Sequence, residues 1–310
     1  MTGTPSAADV ASPGGAPSAA DATREATVAP EAGAAPEAGV PGATVPEDGV
    51  ASETGVVVEA GVVAEGGAAR PDRASPPPLR DFYENPEVPL SSGPDRAHRM
   101  AGMLTGVLRD VPAPAVIVDV GCGDGAAAGL AAQRNPGQHM IGLDWSVSAL
   151  AQARRLGLTV ARAGVDAGLP LASQTADVVI MSELIEHLVD TDSALDEAFR
   201  VLKPAGSLLL STPNLAAWYN RGLLALGVQP IFSEVSLRGV YGRPGSVIAG
   251  HLHMFTRRAL TGLLAARGFT DIAVRGARYH DVPRPLRPVD RVLCAWPSAA
   301  SILLVQAKKP

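Results

Sequence analysis

Short apolar runs alternate with amphipathic segments along most of the chain after residue 94. The runs are rich in valine, isoleucine and leucine, which is typical of buried strands, whereas the segments repeat their apolar positions with a helical period. The predicted strands are 116–120, 138–144, 158–161, 176–182, 207–212, 269–274 and 301–307. The main predicted helices are 94–110, one beginning at 126, 146–156, 191–202 and 256–267. This alternation predicts an α/β fold, with a doubly wound and mostly parallel seven-stranded sheet and helices on both faces.

The first 80 residues lack this pattern. They contain no aromatic residue, and they carry 11 acidic residues against 4 basic ones. A segment built from alanine, glycine and proline with so little bulk cannot bury enough apolar surface to offset the entropy lost on ordering. The sequence therefore predicts a disordered acidic tail over residues 1–80 and one folded domain over residues 81–310.

Composition narrows the class of protein. The net charge is −5; the tail carries 4 − 11 = −7, so the body is near neutral at +2. The body also has no basic stripe with interleaved aromatics of the kind that binds nucleic acid. The chain shows neither a signal-peptide pattern nor an apolar run long enough to span a bilayer. Cys122 and Cys294 are its two cysteines, which fits a reducing compartment. We therefore expect a cytoplasmic protein whose partner is a small-molecule acceptor, without nucleic acid or a transmembrane segment.

The strand at 116–120 runs directly into a glycine-rich loop, which is followed by an alanine-rich helix. The loop is Gly121-Cys122-Gly123-Asp124-Gly125. A unit of strand, glycine loop and helix binds nucleotides at the carboxyl end of the strand, because glycine lets the backbone approach the ligand closely. This unit is therefore the predicted cofactor site.

Two classes of cofactor compete for such a loop. Gly121, Gly123 and Ala126 satisfy the Gly-x-Gly-x-x-Gly/Ala pattern of NAD sites. A pyrophosphate would then lie against the helix N-terminus, where the carboxylates of Asp119 and Asp124 would repel it. The same carboxylates would favour a cofactor that is cationic and lacks a phosphate. Charge thus favours a methyl donor over a dinucleotide.

The spacing of one acid, one residue and Gly-x-Gly-x-Gly resembles the first motif of class I S-adenosylmethionine-dependent methyltransferases. The segments 182–188, 202–206 and 211–214 are similar to the branch that includes the ubiquinone-biosynthesis O-methyltransferases, and 250–256 is similar to a segment of many bacterial members. The resemblance covers about residues 119–308. It implies a Rossmann-like methyltransferase fold with an antiparallel last strand, and S-adenosyl-L-methionine as the cofactor.

The same resemblance implies the cofactor contacts. Asp144 would accept hydrogen bonds from the ribose hydroxyls, Trp145 would pack against the adenine, and Asp166 would accept the adenine amino hydrogens. Taken alone, Asp166 is better explained as a turn or cap residue, and its register with the other motifs is what favours cofactor contact. The complete cofactor-binding set is Asp119, Gly121, Cys122, Gly123, Gly125, Asp144, Trp145, Asp166, Ala167, Ser182 and Glu183.

Two histidines are the candidate catalytic residues. A hydroxyl that attacks a methyl sulfonium must lose its proton, and a neutral imidazole can accept it. His187 follows the fourth strand, where a purely structural role at a helix start is the alternative. His251 and His253 alternate along an extended segment and face opposite ways, so only one can point into the site. We predict His251.

Three further expectations concern the surroundings of these histidines. Glu183, Glu186 and His187 resemble a metal site of the quinone-methylating branch, but a local triplet is a weak signal and we predict no metal. Residues 213–250 break the strand–helix rhythm, which predicts a helix and loop covering a hydrophobic substrate. The favoured reaction is O-methylation of a small-molecule hydroxyl. N- or C-methylation, or a non-catalytic partner protein that keeps the fold, are the alternatives.

Overall fold

The computed structural model describes residues 94–165, 168–279 and 282–310. The predicted acidic tail and the lead-in to residue 94 lie outside the described residues. Within those ranges, no helix is long and apolar enough to cross a bilayer.

Seven strands of the described residues form one sheet in the order β3-β2-β1-β4-β5-β7-β6. In chain order they are β1 (Val116–Val120), β2 (His139–Asp144), β3 (Thr159–Arg162), β4 (Ala176–Ser182), β5 (Leu202–Pro213), β6 (Thr270–Ala277) and β7 (Ile302–Lys308). Strands β1 to β5 pair in parallel, whereas β7 lies antiparallel between β5 and β6. The predicted sheet, including its antiparallel last strand, is confirmed.

Helices cover both faces of this sheet. They are α1 (Pro94–Leu108), α2 (Ala126–Arg134), α3 (Val147–Arg155), α4 (Thr191–Val201), α5 (Trp218–Ala225), α6 (Arg257–Ala266) and α7 (Arg287–Leu293). Two predicted caps are present, because the side chains of Ser146 and Thr256 accept hydrogen bonds from the backbone of Ala149 and Ala259. Such bonds satisfy amide groups that have no partner inside the helix.

The alternating side chains of the central strands separate two apolar layers. Val118 and Val179 point to the layer that holds α4 and α6, whereas Ile117 and Val178 point to the layer that holds α1, α2 and α3. Met100 and Met103 of α1 are buried in the second layer, so the methionine-bearing face of that helix packs against the core. Because both faces are covered, the strands are apolar on both sides and the polar positions collect at the strand ends.

The predicted alternation of strand and helix is wrong between β3 and β4. The described residues of this connection contain no α-helix, because Gly164, Gly168 and Pro170 interrupt any helical run. Side chains of α4 fasten the connection instead. Glu197 accepts from the backbone N–H of Leu169 at 2.7 Å, and Arg200 donates to the carbonyl oxygen of Leu169 at 3.1 Å.

Strand β5 begins earlier than the predicted residue 207. Leu202 already pairs with Ala176, and the pairing register shifts before Val178. The ammonium group of Lys203 reaches the Asp177 carboxylate at 2.8 Å, which ties this first part of β5 to β4. Residues 203–206, which lie between the predicted helix and the predicted strand, therefore belong to an irregular first part of β5.

Candidate functional site

The loop after β1 carries three glycines in the left-handed region, with φ of 73° at Gly121, 55° at Gly123 and 79° at Gly125. A Cβ atom at Gly121 would lie 2.8 Å from Cδ1 of Leu184, and one at Gly125 would lie 2.7 Å from Cβ of Ala153. A Cβ at Gly123 would meet no heavy atom within 4 Å. The outer two glycines therefore permit close packing, whereas Gly123 presents bare backbone to open space at the strand ends.

The carboxylate of Asp144 fixes this loop. Its two oxygens accept hydrogen bonds of 2.8 Å from the backbone N–H groups of Gly123 and Ser146. The carbonyl of Leu143 accepts from the N–H of Gly121 at 2.7 Å. The ends of β1 and β2 are thereby locked together, with the Asp144 carboxylate beside the glycine that faces open space.

Acidic groups surround the N-terminus of α2. Asp124 accepts a hydrogen bond of 3.0 Å from the N–H of Ala126 in the first turn of that helix. A dinucleotide would place its pyrophosphate at such a helix start, where the Asp124 carboxylate would repel it. The geometry agrees with the charge argument from the sequence.

Asp119 is a buried acid just before the loop, with 4% of its surface exposed. Its Oδ1 has no hydrogen-bond partner among the described residues. Burial, and secondarily the charge of Asp144, raise the pKa of its carboxyl to about 7. A buried acceptor without a partner costs free energy, and a cationic donor at this place would remove that cost. Asp119 therefore fits a positively charged ligand.

The remaining predicted cofactor residues divide into three groups. Cys122 is buried against Gly142, because a Cβ atom at Gly142 would lie 2.8 Å from the Cys122 sulfur. Burial raises the pKa of the Cys122 thiol. A buried thiol of this kind packs against its neighbours rather than reacting. Trp145 has the guanidinium of Arg162 5.4 Å from its ring centroid. Asp166 and Ala167 lie outside the described residues, so their roles stay predictions.

A polar network closes the end of β4. The Arg96 guanidinium of α1 lies 2.7 Å from the Glu183 carboxylate, whose other oxygen accepts from the Ser211 hydroxyl at 2.9 Å. Ser182 is 3.0 Å from the same hydroxyl. Glu183 has a φ of 53°, an unfavourable conformation for a residue with a side chain, and such conformations are common at functional sites. Arg96 was missed by the sequence analysis, because no local motif marks it.

His187 and His251 meet just beyond the end of β4. Their ring centroids are 4.8 Å apart. The Nδ1 atom of His187 is 3.2 Å from the Gly250 carbonyl oxygen, and that of His251 is 3.0 Å from the Phe232 carbonyl oxygen. Because a carbonyl only accepts, Nδ1 carries the hydrogen in both rings, and this assigns Nε2 as the basic nitrogen of each.

Both imidazoles are neutral at neutral pH. Burial, and secondarily the neighbouring His251, lower the pKa of His187 to about 4. Burial also lowers the pKa of His251. His253, by contrast, lies away from this pair, with Nε2 3.4 Å from the Val189 carbonyl oxygen. The structure therefore places the two histidines that the sequence selected beside one another.

Glu186 lies beneath the two imidazoles and is fully buried. Neither carboxyl oxygen has a hydrogen-bond partner among the described residues. Burial, and secondarily the Glu183 carboxylate, raise its pKa well above the ordinary value. Glu186, His187 and His251 present ligand atoms within 4.8 Å of one another. This cluster differs from the predicted triplet of Glu183, Glu186 and His187, because Glu183 forms an ion pair with Arg96. That the protein binds no metal here stays a prediction.

A buried ion pair fastens the loop that follows α5. The Glu234 carboxylate accepts from the backbone N–H groups of Ala249, Gly250 and His251 at 2.6, 2.7 and 3.0 Å. Arg243 contacts the same carboxylate at 3.1 Å, and the two side chains are 3% and 6% exposed. The region read as a helix and covering loop thus contains α5 and a loop tied directly to the backbone of His251.

The strand order and the glycine loop define a Rossmann-like nucleoside-cofactor fold. A methyltransferase-domain family profile matches residues 95–274, which is more than half of the chain. The chain therefore belongs to this methyltransferase family, whose cofactor is S-adenosylmethionine.

Individual relatives agree with the family but differ in acceptor. A probable S-adenosylmethionine-dependent methyltransferase of Mycolicibacterium smegmatis is 40% identical over 119 residues, 38% of this chain and 41% of that protein. Trans-aconitate 2-methyltransferase of Methylobacterium radiotolerans is 30% identical over 53% of this chain and 63% of that protein. A ubiquinone biosynthesis O-methyltransferase of Hahella chejuensis is 33% identical over 32% of this chain and 43% of that protein. The chain thus spans less than two thirds of each of these relatives.

The solved structure of an S-adenosylmethionine-dependent methyltransferase from Mesorhizobium loti aligns with 67% of this chain and 96% of that protein's chain, at 23% identity and a TM-score of 0.46. The strand order described above, rather than this alignment, defines the fold.

The residues at the strand ends fit the cofactor of this family. Gly123 offers bare backbone to open space, and Asp119 offers a buried oxygen that lacks a donor and would accept one from a cation.

Proposed function

We propose that this protein methylates the oxygen of a hydroxyl group on a small molecule, with S-adenosylmethionine as the donor. The observation that carries the proposal is the pair of neutral imidazoles, buried at His251 and half-buried at His187, each held through Nδ1 by a backbone carbonyl. An imidazole held in this way keeps Nε2 as a base of fixed direction.

The residues of the strand ends would hold the cofactor. Gly123 leaves room for it, the Asp144 carboxylate lies beside that glycine, and Asp119 offers an anionic oxygen to a cation. When bound, the cofactor supplies an activated methyl group, so alignment of the acceptor with that group provides much of the rate. The protein's own residues then bind the cofactor and the acceptor, orient them, and accept one proton from the acceptor hydroxyl.

The proton is the reason for preferring a hydroxyl acceptor. A carboxylate acceptor is already ionised at neutral pH and needs no base, whereas a hydroxyl must lose its proton during transfer. We assign that step to Nε2 of His187 or His251. The apolar side chains of α5 and the following loop favour an acceptor with a hydrophobic body, and the ubiquinone relative named above is an O-methyltransferase by name.

Two measurements test the proposal in sequence. Thermal melting with S-adenosylhomocysteine, and with NAD in parallel, tests the cofactor: only the former is expected to raise the melting temperature. Transfer of labelled methyl groups to matched panels of phenols, alcohols, amines and carboxylic acids then tests the acceptor. Transfer only to amines, carbons or carboxylates would refute the hydroxyl assignment, and stabilisation only by NAD would refute the cofactor.

A further inference from the structure

A cavity lies apart from the residues of the glycine loop and the histidine pair. Its volume is about 700 Å³, and its charged lining consists of Arg99 of α1, Arg275 of β6, Arg278 just after β6 and Arg291 of α7. Val274 and the backbone around Cys294 complete the wall. None of these residues belongs to the cofactor or histidine groups. We name this cavity the arginine cavity.

The arginine cavity concentrates positive charge with little internal compensation. Asp95 is the acid that pairs there, 2.9 Å from Arg99 and 3.4 Å from Arg278. Among the described residues, Arg275 and Arg291 form no ion pair, and no carboxylate lines the wall. Four guanidinium groups in one concave space create a local positive potential that attracts small anions.

We propose that the arginine cavity is a binding site for a small polyanion, with a diphosphate group as the chemistry it fits. A guanidinium offers parallel N–H donors that match phosphate oxygens, so several around one cavity can hold several oxygens at once. A volume of about 700 Å³ lies within the range of small-molecule sites. The concave shape favours a compact ligand over the broad face of an acidic protein.

Asp95 shows how the cavity treats an anion. Its carboxylate bridges the Arg99 guanidinium of α1 to the Arg278 guanidinium beyond β6, as an oxygen of a bound phosphate would. The side chain therefore competes for two of the four guanidinium groups. The adjacent residue, Arg96, forms the ion pair with Glu183 at the end of β4, so the first turn of α1 contacts both sites.

Titration calorimetry of the full chain with inorganic pyrophosphate tests this site, with inorganic phosphate and citrate as parallel arms. We expect pyrophosphate to bind more tightly than either, and its affinity to fall as salt rises, because exposed charges are screened. The double variant Arg275→Gln/Arg291→Gln should bind at least about tenfold more weakly. Asp95→Asn should bind several-fold more tightly, because it frees two guanidinium groups.

The matched control is Arg154→Gln/Arg155→Gln, which removes two exposed charges from α3 outside the cavity. It should leave pyrophosphate affinity within about twofold, since neither side chain lines the cavity and exposed charges in water are screened. Absence of pyrophosphate binding, an equal loss in the control, weaker binding by Asp95→Asn, or tighter binding of citrate would each overturn the proposal. Affinity for S-adenosylhomocysteine, measured on every variant, keeps this result separate from that of the proposed methyl transfer.

Discussion

His187 and His251 lie with their ring centroids 4.8 Å apart, and each donates its Nδ1 hydrogen to a main-chain carbonyl. One ring belongs to the short turn after β4, and the other to the segment before α6. The segments are also joined through the backbone, because the Glu186 carbonyl accepts from Leu252 N–H at 2.7 Å. The basic nitrogens are therefore held in place by the main chain rather than by mobile side chains.

Replacing one of these imidazoles should remove the proton acceptor without removing the cofactor. If His187 is the base, His187→Asn should lower kcat for a hydroxyl acceptor by about 10²- to 10⁴-fold. Affinity for S-adenosylhomocysteine should stay within about twofold, since the His187 ring is not among the residues proposed to hold the cofactor. His251→Asn is read in the same assay, and the exposed His139→Asn is the control. Full activity in both single variants would contradict a histidine base.

The pH dependence follows from the lowered pKa of His187. An ordinary histidine with a pKa of 6.5 would be protonated at pH 5.5, whereas a pKa of about 4 keeps this ring neutral and basic there. We therefore expect kcat at saturating S-adenosylmethionine, where protonation of Asp119 does not limit cofactor binding, to persist as the pH falls from 7 to 5.5. Fold stability should decrease over the same fall, because the unfolded chain gains the proton first. A fall in the rate with an apparent pKa near 6.5 would contradict the assignment of His187 as the base.

Asp119 predicts the opposite pH dependence for stability. The pKa of the Asp119 carboxyl is about 7 in the folded protein and 3.8 ordinarily. Because this carboxyl ionises first in the unfolded chain as the pH rises, the folded state loses stability between about pH 4 and pH 7. Asp119→Asn removes this loss and should raise the melting temperature of the ligand-free protein at pH 8 more than at pH 5. Affinity for S-adenosylhomocysteine should fall at pH 8, because the variant lacks the anionic oxygen. Equal changes in melting temperature at pH 8 and pH 5 would be inconsistent with a raised pKa of the buried Asp119 carboxyl.

The glycine loop permits a test that separates packing from ligand access. Gly123→Ala meets no neighbouring atom and should cost only the left-handed backbone penalty, about 1–2 kcal/mol, while abolishing the melting shift by S-adenosylhomocysteine. Gly125→Ala adds a contact of 2.7 Å with Cβ of Ala153 and should destabilise the fold more. Gly102→Ala, exposed in α1, is the control and should stabilise by up to about 1 kcal/mol. Unimpaired ligand binding by Gly123→Ala would place the cofactor elsewhere.

Local patterns account for what the sequence predicted. The strand at 116–120, the loop after it and the caps at Ser146 and Thr256 depend on neighbouring residues, so their types can be read from spacing alone. The general alternation of strand and helix was wrong between β3 and β4, because glycine and proline outweighed the overall rhythm.

Long-range contacts account for what the sequence missed. The guanidinium of Arg96 reaches Glu183 from an element that precedes β1, and Glu234 reaches the backbone before α6. Neither side chain belongs to a motif, and each is identified only once the chain has folded. The raised pKa of the Glu186 carboxyl is likewise invisible in sequence, because it follows from complete burial.

Glu234 provides the last prediction, because it joins a buried charge pair to the backbone that carries His251. Glu234→Gln leaves Arg243 buried without its counter-ion, and removing one partner of such a pair costs about 3–5 kcal/mol. Urea denaturation should show this loss, and hydrogen exchange should show faster exchange of the amides of Ala249, Gly250 and His251. Asp196→Asn, which weakens an exposed contact with Arg267, should change stability by less than about 1 kcal/mol. Equal effects of the two substitutions would mean that the Glu234 pair does not hold the loop, and His251 would then owe its position to its Nδ1 contact with Phe232 and to the backbone bond from Leu252 to Glu186.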